Sequence, residues 1–182
     1  TKLFTIAFIT QLTAWAPLSA ALENELNTMI ITDQTQDYAV APVAFSKVAL
    51  KDAFWLPRLR IQKKETVPFA LQKTEPAVEN LRRCGAYLRG EKDDLPFPHR
   101  FISSDLYKVM EGAAYLLNVE RDPSLEARMD EIIDIIGKAQ QDDGYLYVAH
   151  SCKIADKGEM GETPYSWVVH SHELYNVGHL YE

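Results

Sequence analysis

The chain has 182 residues, 47% of them apolar and 25% charged, with 8 Gly and 9 Pro; this is a globular profile and excludes a disordered or collagen-like chain. One domain of ordinary size fits that length, and a large multidomain enzyme does not unless the chain is a piece of one. Lys and Arg total 19 against 26 Asp and Glu, a formal charge of -7. The basic groups at Arg58, Arg60, Lys63, Lys64, Arg82 and Arg83 are short and interleaved with apolar residues, so no nucleic-acid partner is expected.

Lys2 is followed by LFTIAFITQLTAWAPLSAA, which carries no charge before Glu23. Residues 1–21 are expected to be a secretory signal peptide, with Ser19 and Ala21 three and one before a cut ahead of Leu22. The rival, a buried N-terminal helix, is disfavoured by Thr5, Thr10, Gln11 and Thr13 within the run and by Pro17. No other stretch approaches the ~20 apolar residues of a membrane span, so a periplasmic or extracellular protein is expected. Cys84 and Cys152 are too few for a disulfide scaffold. They read as small buried hydrophobes, or as one bridge if the compartment is oxidising.

Residues 22–41 read as a polar leader arm, and the organised chain begins near Pro42. The irregular spacing of Val43, Phe45, Val48 and Leu50 predicts one or two short strands before Trp55. A helix is expected from Pro68, stopping near Pro76 and restarting through Val78, Leu81, Cys84 and Leu88 to Gly90. EKDDLPFPHRF reads as a loop because Pro96 and Pro98 cannot sit in a regular helix. Ser103 or Ser104 is expected to cap the next helix, whose Leu106, Val109, Met110, Ala113, Leu116 and Leu117 form an apolar stripe. Asp122 then caps a helix with Pro123 in its first turn and Leu125, Met129, Ile132, Ile133 and Ile136 recurring at helical spacing, ending by Gly144. These two helices are expected to pack as an antiparallel hairpin. After a loop with a short extended piece at 146–148, a last helix is expected from His170, still running at Glu182. The chain is therefore expected to be a fragment, an incomplete arc of helices with Ile133, Ile136, Leu180 and Tyr181 left exposed.

That last helix carries the most informative pattern. His172, Tyr175, Asn176, His179 and Glu182 recur at steps of three, one, three and three and share one face. Aromatics and imidazoles gain little from bulk water, so the stripe reads as a cavity lining. His172 and His179 are seven apart, about 10.5 Å along a helix, too far to hold one metal ion; no metal site is expected unless His170 joins His172 or distant residues contribute. Rings beside carboxylates and amides suit a carbohydrate, with Tyr107, Tyr145, Tyr165, Trp167 and Tyr175 as platforms. Asp105, in a first helical turn, suits a charged hydroxyl acceptor. Cys152, His150 and Asp156 offer no oriented base for a nucleophilic thiol, and nucleotide or serine-hydrolase motifs are absent.

Four ordered segments, KDAFWLPRLRIQKKETVPFA (51–70), SSDLYKVMEGAAYLL (103–117), the stretch from Asp122 to Leu146 ending in AQQDDGYL, and HSHELYNVGHLYE (170–182), together resemble the N-terminal part of glycoside hydrolase family 127, the β-L-arabinofuranosidases, and its relative family 146. The resemblance implies an all-α fold, a partial (α/α)6 barrel of antiparallel helical hairpins spanning residues 42–182, behind short strands or an extended arm. It implies retaining hydrolysis of terminal β-L-arabinofuranosyl linkages in plant-type oligosaccharides or polysaccharides. It also implies a zinc ion with cysteine and glutamate ligands in the complete enzyme, from residues outside this chain, so that neither Cys84 nor Cys152 is a nucleophile and no catalytic residue lies here. The substrate-binding wall carried over is His172 in HELY, with His179 and Asp105; Tyr175 is a further substrate-binding candidate from the ring stripe of the last helix. The remainder of the catalytic domain would be its partner. Two alternatives stay open: a carbohydrate-binding or structural helical module without catalysis, and another six-hairpin glycosidase or lyase.

Overall fold

In the computed structural model, which describes residues 43–91, 95–97 and 99–182, prolines mark helix starts more than helix stops. The chain divides into two units at Val48. Of the first, the described residues form a 3-10 turn at Phe45–Lys47 followed by extended backbone at Val48. The expected signal peptide (1–21) and leader arm (22–41) lie outside the described residues. The strands expected before Trp55 do not form, and no strand occurs among the described residues. The spacing of Val43, Phe45, Val48 and Leu50 lacks the strict alternation that would give a strand one buried face.

In the second unit, α1 runs from Trp55–Ile61, a π turn covers Gln62–Thr66, and α2 covers Val67–Lys73, so helical backbone begins well before Pro68. Asp52 accepts the N–H groups of Phe54 at 2.9 Å and Trp55 at 2.5 Å, which starts α1. Pro57 falls in its first turn, where no donor is needed. The N–H of Val67 reaches back to the carbonyl of Gln62. This widened turn sits immediately before Pro68, whose ring and missing donor disturb an ordinary i→i−4 ladder. α3, Glu75–Leu88, has Pro76 in its first turn and closes through Gly90 at φ 68°, whose N–H bonds Tyr87 O while Glu91 N–H bonds Ala86 O.

α4 is Ile102–Val119 and α5 is Pro123–Ala139. Asp122 caps α5, accepting from Ser124 N–H at 3.1 Å and Leu125 N–H at 3.2 Å. The caps expected at Ser103 or Ser104 are not caps: both lie inside the first turn, and the Ser104 hydroxyl donates back to Phe101 O at 2.7 Å. Val78, Leu81 and Cys84 of α3, Leu106, Met110 and Ala113 of α4, and Met129, Ile132 and Ile136 of α5 form one buried core. α5 lies mainly against α3 rather than in the simple hairpin with α4 that loop length suggested. The approach is close at Gly85, where a Cβ would stand 2.9 Å from the carbonyl of Lys138. Ile133 and Tyr181 are exposed as expected, whereas Leu180 is half-buried and Ile136 is buried.

Four short helices complete the unit: α6, Val148–Ser151; α7, Lys157–Met160; α8, Val168–Ser171; and α9, Glu173–Tyr181. The single helix expected from His170 is thus two helices meeting at His172. No helix among the described residues is long and apolar enough to cross a membrane.

Candidate functional site

The corner between α8 and α9 is built on His172, which has φ 59° and ψ 27° and serves as the end of one helix and the start of the next. A left-handed conformation costs a residue with a Cβ about 1–2 kcal/mol, so surrounding contacts must hold it. Asn176, 2% exposed, donates to Arg100 O at 2.7 Å and His172 O at 2.8 Å, tying α9 to the segment before α4. It is a buried cross-tie and not part of a cavity lining.

The bend presents a ladder of rings. Phe101 and His172 meet edge to face with centroids 4.5 Å apart, His172 and Tyr175 at 5.9 Å, and Tyr175 and His179 at 4.7 Å. Lys108 of α4 donates to the Tyr175 hydroxyl at 2.6 Å, and its ammonium lies 4.9 Å from the ring centre. That hydrogen bond to Tyr175 is the main cause raising the lysine's pKa, so the ammonium is a fixed charge at neutral pH. Asp105 stands 3.8 Å from the same ammonium. His172, Tyr175 and His179 are therefore brought together, while Asp105 joins them only through Lys108. His179 Nδ1 lies 3.4 Å from Glu182 Oε2.

His172 Nδ1 is 2.6 Å from the carbonyl oxygen of His170, to which Arg100 also donates at 3.2 Å. A carbonyl only accepts, so in the neutral ring Nδ1 carries the proton and Nε2 carries the lone pair. The residue thus offers an outside ligand an acceptor and not a choice of roles. His150 is oppositely assigned: its Nε2 is 3.0 Å from Met160 O and holds the proton.

Beneath the ladder lies a polar network. Tyr145 OH donates to Glu173 at 2.5 Å, Ser171 OH donates to it at 2.6 Å, and Tyr165 N–H bonds both its oxygens at 3.0 and 3.2 Å. Tyr147 OH donates to Ser171 O at 2.7 Å. Burial, then the Glu173 carboxylate, raise the Tyr145 phenol well above its ordinary range, and burial pushes Tyr147 up to about 12. Of the expected sugar platforms, Tyr107 and Tyr145 are buried in the fold, while Tyr165, Trp167 and Tyr175 reach the surface. Phe101 and Glu173 have no place in the expected site. Phe101 follows a proline-rich loop with no period, and Glu173, as a charged residue, reads as solvated.

A hollow of about 500 Å³ between Leu88, Lys138 and Asp143, and another of about 400 Å³ between Leu56, Lys63 and Val119, involve no residue of the ladder. Residues 47–182 match the model described as β-L-arabinofuranosidase, GH127 catalytic domain. The chain belongs to this family. Over 107 residues it is 40% identical to a non-reducing end β-L-arabinofuranosidase of Bifidobacterium longum subsp. longum, an alignment covering 58% of this chain and 15% of that enzyme. Among solved structures, it resembles a β-arabinofuranosidase of the family with a TM-score of 0.66 and 33% identity, over 76% of this chain and 22% of the other. It also resembles a family β-L-arabinofuranosidase from Geobacillus stearothermophilus T6, with a TM-score of 0.60 and 34% identity over 72% and 21%. The chain therefore spans about a fifth of each of these enzymes or less. The all-helical fold is that of part of the family's helical barrel.

The zinc that the resemblance implies for the complete enzyme does not fit the residues present. Among the described residues, no three His, Cys, Asp or Glu side chains converge. Cys84 and Cys152 are buried with free thiols. Cys84 Sγ also lies 3.9 Å from Ala139 O. The two thiols share a hydrogen bond, which raises Cys84 far above its usual range and lowers Cys152.

Proposed function

We propose that the complete protein containing this chain is a retaining β-L-arabinofuranosidase acting on non-reducing ends of plant-type glycans, and that residues 42–182 supply one wall of its sugar site. The observation that carries this reading is the ladder from Phe101 through His172 and Tyr175 to His179, on a segment matched by the family. Ring faces and edges suit the C–H surface of a sugar. The lone pair on His172 Nε2 suits a hydroxyl donor, and Lys108, with Asp105 beside it, stands against Tyr175. In this reading His172, His179, Asp105 and Tyr175 bind substrate and none is catalytic. Zinc, the nucleophile and the acid/base come from the rest of the domain. A signal peptide at 1–21, a leader arm at 22–41 and a periplasmic or extracellular location belong to the same proposal, supported by the uncharged apolar run between Lys2 and Glu23.

The test is His172→Ala in the complete enzyme. An unpaired polar group costs about 1–3 kcal/mol, so kcat/KM on an aryl β-L-arabinofuranoside should fall about tenfold or more. A variant with lowered melting temperature and unchanged kcat/KM would remove His172 from the site.

A further inference from the structure

Glu173 is the only charged side chain that is buried among the described residues, at 1% exposure. Among the described residues no ion pair reaches it; its carboxylate is held by two hydroxyls and one backbone N–H, at the start of α9 where the helix dipole favours a negative charge. An isolated buried carboxylate is costly, and a Gln or Leu would pack there with less desolvation. Its donors come from three separate stretches: Tyr145 after α5, Tyr165 in the loop before α8, and Ser171 at the end of α8. Ser171 and Glu173 flank His172 directly, and their side chains are 2.6 Å apart.

The physical consequence concerns His172. Two helices meeting at a left-handed residue other than Gly would relax toward one continuous helix if nothing fixed the corner. A continuous helix would carry the imidazole away from the carbonyl of His170, which could no longer lie at 2.6 Å from Nδ1. Glu173 opposes that relaxation by pinning both sides of the bend to the loops containing Tyr145 and Tyr165. We propose that Glu173 is the positioning residue of the sugar site, fixing the bend at His172 and thereby the tautomer that leaves Nε2 as an acceptor. The role of the site rests on the arabinofuranosidase reading above; the positioning itself does not.

Glu173→Gln tests it, because an amide has one oxygen where the carboxylate has two, so the donors around it can no longer all be satisfied. Imidazole ¹⁵N shifts of the 182-residue chain should show His172 with the Nδ1 proton in the wild type and a tautomer mixture in the variant. In the complete enzyme kcat/KM on the aryl β-L-arabinofuranoside should drop about tenfold or more, mainly through KM. If circular dichroism shows the Gln variant unfolded, Tyr145→Phe removes one donor and keeps the charge; it should shift the same resonances in the same direction by less. A folded variant of either kind with wild-type ¹⁵N shifts overturns the proposal. A wild-type enzyme inert on the arabinofuranoside overturns the substrate reading instead, and the ¹⁵N result still decides the positioning role.

Discussion

The core of α3, α4 and α5 and the corner around His172 are held together by different forces. In the core, Leu81, Leu106 and Ile132 are completely buried among apolar neighbours, and stability scales with the area they remove from water. In the corner, the buried side chains Ser171, Glu173 and Asn176 are polar, and each depends on directed hydrogen bonds to particular partners. Apolar packing tolerates small shifts. A hydrogen-bonded carboxylate with one N–H and two hydroxyl donors does not, and so the corner is where a side chain can be held in a costly conformation for a ligand.

Truncating the core should give the largest effect. Ile132→Ala leaves a cavity at a site with no exposure, and unfolding free energy from denaturant titration should fall by about 3 kcal/mol; a loss near that of a surface residue would mean the core is much looser than described. Next comes alkaline destabilisation of the corner. Tyr147 is pushed from 10.0 up to about 12 by burial first and then by the Glu173 charge, and Tyr145 is raised as well. Unfolded chains release these protons near pH ~10 while the folded chain keeps them, so stability is intact below that pH and lost as pH rises toward ~12. The denaturant midpoint should drop over that window, Tyr147 alone contributing about 2 kcal/mol of lost stability, and Tyr147→Phe should reduce the drop. Smaller still is a paired substitution at the bend. His172→Gly and His172→Ala both delete the ring, yet Gly accepts φ 59° without a Cβ penalty, so Gly should be the more stable by about 1 kcal/mol in thermal unfolding. Equal melting temperatures would show that the bend straightens once the ring is gone. At the bottom of the scale, Lys138→Ala breaks an exposed pair with Asp134 on α5 and should change stability by less than about 0.5 kcal/mol.

What could be read beforehand follows the same division. The helices of the core announce themselves through 3.6-residue stripes and through Asp122–Pro123, a cap and first turn whose chemistry is local. Gly90 likewise ends α3 for a reason contained in its own backbone. The ring stripe of His172, Tyr175 and His179 survives in the structure because the residues remain three or four apart whether or not a helix begins at His172. The bend itself has no local signal: His-Ser-His-Glu contains neither Gly nor Pro, and its geometry is imposed by Tyr145 and Tyr165 from elsewhere in the chain. Phe101 and Lys108 join the site from α4 and the segment before it, across 67 to 74 residues, which periodicity in one helix cannot report. Helix α1 was hidden for a different reason. Pro68 reads as the start of a helix, and only the widened turn before it lets helical backbone reach it from Trp55.

That widened turn also sets the rotational phase of everything before it. Leu59, Lys63, Val67 and Leu71 are spaced four apart and are partly or fully buried, with Leu56 and Ala70 beside the row. At 3.6 residues per turn, each step of four overshoots by about 40°, so three steps would wind the row about 120° around the helix and carry one end off the core. One turn that takes up an extra residue cancels most of that drift, acting as a vernier between Leu59 and Val67. Deleting a single residue from 62–66 would let the turn close to an ordinary helical one, four residues at about 100° each covering nearly the same rotation, so the Trp55 end would keep almost the same phase relative to Val67. The segment 62–66 is therefore a place where the helix can lose one residue without turning its two ends out of phase.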